Sequence, residues 1–175
     1  MSQPHGQLRI EEVPPERRSA LEALLDQSFD GWYLRHSKKT LAEIATVRAA
    51  LVEGRPVGLV MLRTLHDVVG YVYYIAVAKD FRRRGIGKLL LARSLEYFAT
   101  IGMKECYASI EEDNAESAAL FRSIGFMRTG YGEVSGKYGR LRALNMYRSM
   151  LVVPGEILLC LPLGPDASAR SAPSP

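Results

Sequence analysis

Seven consecutive residues, Arg82-Arg83-Arg84-Gly85-Ile86-Gly87-Lys88, carry the chemistry most readily read from this 175-residue chain. Three arginines and a lysine supply formal positive charge. Gly85 and Gly87 bring no side chain, so an anion can come close to the main chain. Leu89, Leu90, Leu91 and Ala92 follow and read as a helix. The first N–H groups of a helix lack internal partners, and its dipole places partial positive charge there. Together these features predict a phosphate site suited to a diphosphate.

Other phosphate-binding patterns fit less well. A dinucleotide fingerprint needs a third glycine, and Leu90 stands where it would be. A phosphate loop of the G-x-x-x-x-G-K-[ST] type needs glycine at 82 and a hydroxyl at 89; the chain has Arg82 and Leu89. The ordinary alternative is a solvated basic turn at the start of a helix.

The elements that must position this turn follow from composition and periodicity. Tyr71 to Val77 is apolar, aromatic and β-branched, and predicts a strand running straight into it. Leu90, Leu91, Leu95 and Phe98 form the apolar stripe of the helix after it, which reaches about Thr100 and stops at Gly102. Upstream, Leu8–Val13 predicts a strand, and Pro14-Pro15-Glu16 opens a helix with Leu21, Leu24, Leu25 and Phe29 on one face. Residues 39–50 read as helix, and Ala49–Glu53 and Val57–Leu65 as a hairpin turning at Gly54-Arg55-Pro56. Downstream, strands are expected at Glu105–Ile110, Met127–Tyr131 and 141–150, with a helix after Asn114 and a glycine-rich loop over 132–139. The run Ile157–Leu163 is expected to extend the sheet or cover a partner. Alternating strands and helices with hairpins imply an α/β protein with a mixed sheet.

Two stretches in this frame resemble the signatures of the GNAT-type N-acetyltransferase superfamily. Arg82-x-x-Gly85-x-Gly87 after a strand ending Ile75-Ala76-Val77 is similar to its acetyl-CoA segment. Asn114-x-x-Ser117-x-x-Leu120-Phe121-x-x-x-Gly125-Phe126 is similar to its second signature. The resemblance spans about residues 8–150. It implies a mixed, mostly antiparallel central sheet flanked by helices. It also implies an N-acetyltransferase domain at 8–150, between a disordered 1–7 and a C-terminal extension, 151–175, with a largely disordered end.

The activity implied is direct transfer of acetyl from acetyl-CoA to a primary amine, without a metal. The pantetheine amides would pair with the main chain at Ile75, Ala76 and Val77, and an N–H near Val77 would polarise the thioester carbonyl. The diphosphate would lie on Arg83, Arg84, Gly85, Ile86, Gly87 and Lys88, with Arg82 opening the motif. Asn114, with Ser117 beside it, would meet the pantetheine arm, and Phe121 would lie near the sulfur. Many members carry tyrosine at position 121 to protonate the leaving thiolate, which phenylalanine cannot do. Glutamates that often serve as the base are replaced by Tyr71 and Ser109. Glu111, Tyr73 and Tyr138 are the candidate catalytic side chains. Solvation of Glu111 and packing of the tyrosines are the ordinary alternatives, as packing is for Trp32 and Tyr33. These departures also suit a different class, a CoA-binding regulatory or partner-binding module with weak catalysis.

Composition bounds the remainder. Hydrophobic content is 47%, charged content 24% and net charge +4, values expected of a water-soluble domain with a mildly basic face. The basic residues have no interleaved aromatics for base stacking, which argues against nucleic acid. Cys106 and Cys160 make no disulfide framework, and His5, His36 and His66 have no metal-ligand spacing. The N-terminus lacks an apolar signal core and no run is long enough for a bilayer, so a cytoplasmic protein without membrane contact is expected. A homodimer is left open.

Overall fold

Period-two runs of Val, Leu, Ile, Tyr and Ala build the sheet, and the helices between them carry their leucines and methionines on one side. The computed structural model describes residues 8–66 and 68–164. The strands are β1 (Arg9–Glu12), β2 (Thr46–Val52), β3 (Arg55–Leu65), β4 (Val69–Val77), β5 (Glu105–Glu111), β6 (Met127–Thr129) and β7 (Glu156–Pro162). The helices are α1 (Glu22–Asp26), α2 (Gly31–Glu43), α3 (Ile86–Thr100), α4 (Ala115–Arg122), α5 (Tyr131–Tyr138) and α6 (Arg140–Met150), with 3-10 segments at Pro15–Leu21 and Lys79–Phe81. The seven strands form one sheet in the order β1-β2-β3-β4-β5-β7-β6. The β4–β5 pair is parallel, and β1–β2, β2–β3, β5–β7 and β6–β7 are antiparallel. This is the mixed, mostly antiparallel sheet flanked by helices that the sequence implies. Among the described residues no helix is long and apolar enough to cross a membrane.

The chain divides into two compact units. The first runs up to Arg63 and includes Tyr74–Ser94; the second holds Thr64–Tyr73 and everything from Leu95. In the first unit the hairpin turn is Glu53-Gly54, both left-handed (φ 51° and 77°), the geometry that matches strand twist in a two-residue loop. Arg18 is buried among apolar residues. Its guanidinium donates to the carbonyls of Val13, Leu41, Ile44 and Ala45 at 2.6–3.3 Å. Leu41 and Ile44 close α2, so this cation satisfies the negative end of that helix. Gly58 lies where a Cβ would come within 3.0 Å of Leu90 and 3.3 Å of Ile86. A bare backbone there lets the first turn of α3 sit close against β3.

In the second unit, β7 pairs with β5 from Glu105↔Pro162 to Glu111↔Glu156 and carries β6 on its far edge. Gly70 on β4 lies under Phe98, whose ring would be 2.7 Å from any Cβ. Helices α5 and α6 bring Val134, Ala143, Met146 and Met150 onto Leu65, Val69, Tyr71, Tyr107 and Leu158.

Several expected elements differ. Residues 141–150 form helix α6, not a strand, because Ala143, Met146 and Met150 repeat at helical spacing and are the buried positions. Residues 132–139, expected as a loop, mostly form α5. Glu133 secures its start by accepting from Gly130 N–H at 2.9 Å and from the Thr129 hydroxyl at 2.7 Å. The helix expected over 39–50 breaks at Ile44, where α2 gives way to β2. Residues 157–163 do extend the sheet: Ile157 to Pro162 fall in β7. The disorder expected for 1–7 and for the Pro/Ala/Ser-rich end falls outside the described residues.

Candidate functional site

Between β4 and α3 the backbone changes hand twice. Arg83 (φ 58°) and Gly85 (φ 79°) are left-handed, with Arg84 between them. Such alternation turns successive N–H groups toward one side and makes a concavity for an anion. Gly85 meets nothing within 4 Å of a built Cβ, so this face of the turn is open. The first bond of α3 is Leu89 N–H to Gly85 carbonyl, 2.9 Å. The amides of Ile86, Gly87 and Lys88 therefore have no acceptor within the helix. Ile86 is buried and anchors the turn from below, while Arg82, Arg83, Arg84 and Lys88 are exposed around it. The residues present thus fit a diphosphate: bare amides, a helix N-terminus and exposed cations.

One arginine of this group has another task. Arg82 Nε donates to the Val77 carbonyl at 3.1 Å, and its terminal nitrogen donates to the Gln27 carbonyl at 3.2 Å. The Gln27 side-chain oxygen accepts from Lys79 N–H at 3.3 Å. Gln27 thereby clamps both ends of the short turn that leads into the basic loop. Nothing in the sequence singles it out, because its partners lie about fifty residues away. Arg84 stacks over the Phe81 ring at 5.2 Å.

The main chain of β4 has a defined direction here. Ala78 N–H donates to the Val57 carbonyl on β3 at 2.9 Å. By strand alternation Ala76 also faces β3, and Ile75 and Val77 face away. The parallel register with β5 ends at Val72↔Ala108, while β4 continues to Val77. Of the three residues expected to meet the pantetheine arm, Ile75 and Val77 present their main chain outward and Ala76 does not.

The remaining expected site residues lie in the second unit. Asn114 is the N-cap of α4, its Oδ1 accepting from Ser117 N–H at 2.9 Å. Phe121 is 2% exposed, edge-on to Phe126 at 5.0 Å. Asn114 and Phe121 thus have a capping and a packing duty, and Ser117 takes part through its main-chain N–H. Glu111 is exposed at the end of β5, opposite Glu156. Tyr73 packs edge-on to Tyr71 at 5.3 Å. The Tyr138 hydroxyl donates to Glu105, and Tyr138 and Tyr73 both pack against the core around Tyr71 and Tyr107, whereas Glu111 stands apart from them at the exposed strand end.

Tyr71 and Ser109, which stand where a base often sits, are bonded to each other at 2.7 Å, and the Tyr71 hydroxyl also reaches the Met150 carbonyl at 3.2 Å. Burial pushes the Tyr71 phenol far above its ordinary range, so it offers no base at neutral pH. Glu105, 4% exposed, accepts from Lys137, Tyr138 and, at 3.0 Å, Tyr107. Burial pushes its carboxyl up, but these donors outweigh it and hold it below the usual carboxylate value.

Residues 8–126 match the model of the acetyltransferase (GNAT) family. A mycothiol acetyltransferase of Renibacterium salmoninarum is 29% identical over 63 residues, 36% of this chain and 19% of that protein. A ribosomal protein bS18-alanine N-acetyltransferase of Salmonella typhimurium is 36% identical over 55 residues, 31% of this chain and 37% of that protein. The matched stretch thus spans between a fifth and two fifths of these relatives' own length. The solved structure of PaiA N-acetyltransferase from Thermoplasma acidophilum, in complex with coenzyme A, has a TM-score of 0.67 at 12% identity, covering 88% of this chain and 98% of that one. That likeness is one of fold.

Proposed function

The chain belongs to the acetyltransferase (GNAT) family, and from that premise we propose that it transfers an acetyl group from acetyl-CoA to a primary amine. The observation that carries this reading is the open turn at Arg83–Lys88 beside the outward main chain of Ile75 and Val77, all within one unit. The amides of Ile86, Gly87 and Lys88 hold the diphosphate, with Arg83, Arg84 and Lys88 supplying charge. Arg82 and Gln27 hold the turn in place. Acetyl-CoA supplies an activated acyl group whose thiolate is a tolerable leaving group, with a thiol pKa of about 8.5. In this reading the outward N–H groups of Ile75 and Val77 would donate to the pantetheine and thioester oxygens. Asn114 and Ser117 are carried as cofactor positions by the second signature.

The names of the two relatives, a mycothiol acetyltransferase and a ribosomal protein bS18-alanine N-acetyltransferase, point to different substrates, so the primary amine of this reading is of open identity. Calorimetric titration with acetyl-CoA tests the reading first. Thiol release across spermidine, L-lysine, an alanine-initiated peptide and an aminoglycoside tests it second. Absence of binding at millimolar acetyl-CoA refutes it. A second reading, a CoA-binding module without turnover, is favoured by one observation: Tyr71 and Ser109 are closed on each other and Phe121 brings no acid. It predicts binding without thiol release on that panel.

A further inference from the structure

Helix α2 and the end of β4 hold a polar pair that neither signature contains. His36 Nδ1 lies 2.8 Å from the Tyr74 hydroxyl, within the first unit. Aromatic rings fix both partners. Trp32 stacks on the imidazole at 4.9 Å and 10°, and Phe29 meets the Tyr74 ring edge-on at 5.2 Å. Trp32 is 43% exposed, so the packing expected for it is one-sided and the cluster opens to solvent. With the phenol donating, Nδ1 is the acceptor and the ring proton sits on Nε2. Tyr74 immediately precedes Ile75, whose outward N–H the proposed reaction uses.

We propose that Tyr74 and His36 form the proton relay that deprotonates the attacking amine, with Tyr74 as the catalytic group and His36 as the residue that acts through it. The inference rests on the acetyl-transfer reading above. In the step, the nitrogen lone pair of the free amine forms the C–N bond to the thioester carbon. The C–S bond breaks and its electron pair leaves on sulfur. The amine proton passes to Tyr74 Oη as the proton of Tyr74 moves to His36 Nδ1. The imidazolium then returns one proton to solvent, and the thiolate takes one from it, so the products are an amide and a thiol.

The charge state of the ring agrees with this role. Burial pulls the His36 pKa below its ordinary value and Lys39 adds to the effect, while Glu43 opposes it. Lys38 on the same helix is turned to Asp26 at 2.7 Å and Glu22 at 3.8 Å. From β4 the Tyr74 hydroxyl faces the ring, and on α2 the Thr40 hydroxyl lies 3.4 Å from the same Nδ1. The imidazole is therefore neutral at pH 7 and able to accept.

The test uses the full chain with acetyl-CoA and whichever amine of the panel above gives the fastest thiol release. Tyr74→Phe and His36→Gln are expected to lower kcat about 10²-fold, the lower end of a general-base contribution. The acetyl-CoA Kd is expected to stay within about twofold, as is usual when a contribution to chemistry alone is lost. The acid limb of the wild-type pH profile should vanish in His36→Gln, and added imidazole should restore part of kcat in His36→Gly. Independently of turnover, NMR titration of the free protein should give a His36 pKa under about 6.5 that moves in Tyr74→Phe. A kcat within about threefold of wild type in both variants, with the acid limb intact, overturns the relay and leaves the transfer reading standing. Binding without thiol release by the wild type removes the transfer reading and the relay with it.

Discussion

Replacing Gly85 by alanine separates conformational strain from steric clash, because the two are unequal at this position. A Cβ there meets nothing within 4 Å, yet φ is 79°. An L-residue held left-handed costs about 1–2 kcal/mol. If the variant keeps the turn, the whole cost falls on folding. For a chain of this size that lowers Tm by about 2–8 °C, and acetyl-CoA affinity is unchanged because free and bound states carry the same strain. If the variant relaxes, the peptide before Ile86 rotates and its N–H leaves the anion site. Restoring it on binding then weakens Kd by about 5–30-fold, the same 1–2 kcal/mol. The two losses are complementary, so melting and calorimetric titration on one sample must together recover about 1–2 kcal/mol. Gly85→Asn should recover part of it, since asparagine tolerates the left-handed region. If Gly85→Ala changes neither Tm nor Kd, the turn does not depend on a left-handed residue and the anion-site geometry is wrong.

Three further substitutions probe the second unit. Tyr71→Phe strands Ser109 and the Met150 carbonyl and should lower stability by about 1–3 kcal/mol in urea while leaving acetyl-CoA binding intact; lost turnover at full stability would make Tyr71 a chemical group after all. Phe121→Tyr puts a hydroxyl into an enclosed site and should cost about 1–3 kcal/mol without raising kcat; a faster enzyme of unchanged stability would show that the ring reaches the reacting atoms. Glu105 has a depressed folded pKa, so its contribution is complete above the unfolded value of about 4.3 and fades as pH falls through the lower folded value. Lys137→Met should therefore destabilise by about 1–3 kcal/mol near pH 7, discounted because that lysine is 54% exposed, and the gap to wild type should narrow below about pH 4, as urea unfolding across pH would reveal.

What could be read from the chain alone was local. The strand at 71–77, the helix after Gly87 and the turn between them depend on neighbours within a few residues, and composition exposes them. The cap at Asn114 is local too, its side chain accepting from the N–H of Ser117 three residues on. Residues 141–150 read as a strand because Leu144, Met146 and Met150 fall on alternate positions, whereas the buried set is Ala143, Met146 and Met150, at helical spacing. Arg18, Gln27 and the pairing of His36 with Tyr74 had no local signal, although Tyr74 lies in the strand that the sequence marks out. Each acquires its meaning mainly from partners 23 to 55 residues away, and a lone arginine, glutamine or histidine looks the same whether it is solvated or buried among carbonyls.

The position of β7 has a consequence for how the protein is made. Seven of its residues separate β5 from β6, although they come last among the described strands. A nascent chain that has emerged only to Met150 exposes one bare edge of β5 and leaves the three residues of β6 with no strand to join. Synthesis must run past Pro162 before either can close. Until then that edge is open to any extended peptide nearby, so ribosomal stalling or premature termination in the last stretch should yield aggregates rather than a shortened enzyme.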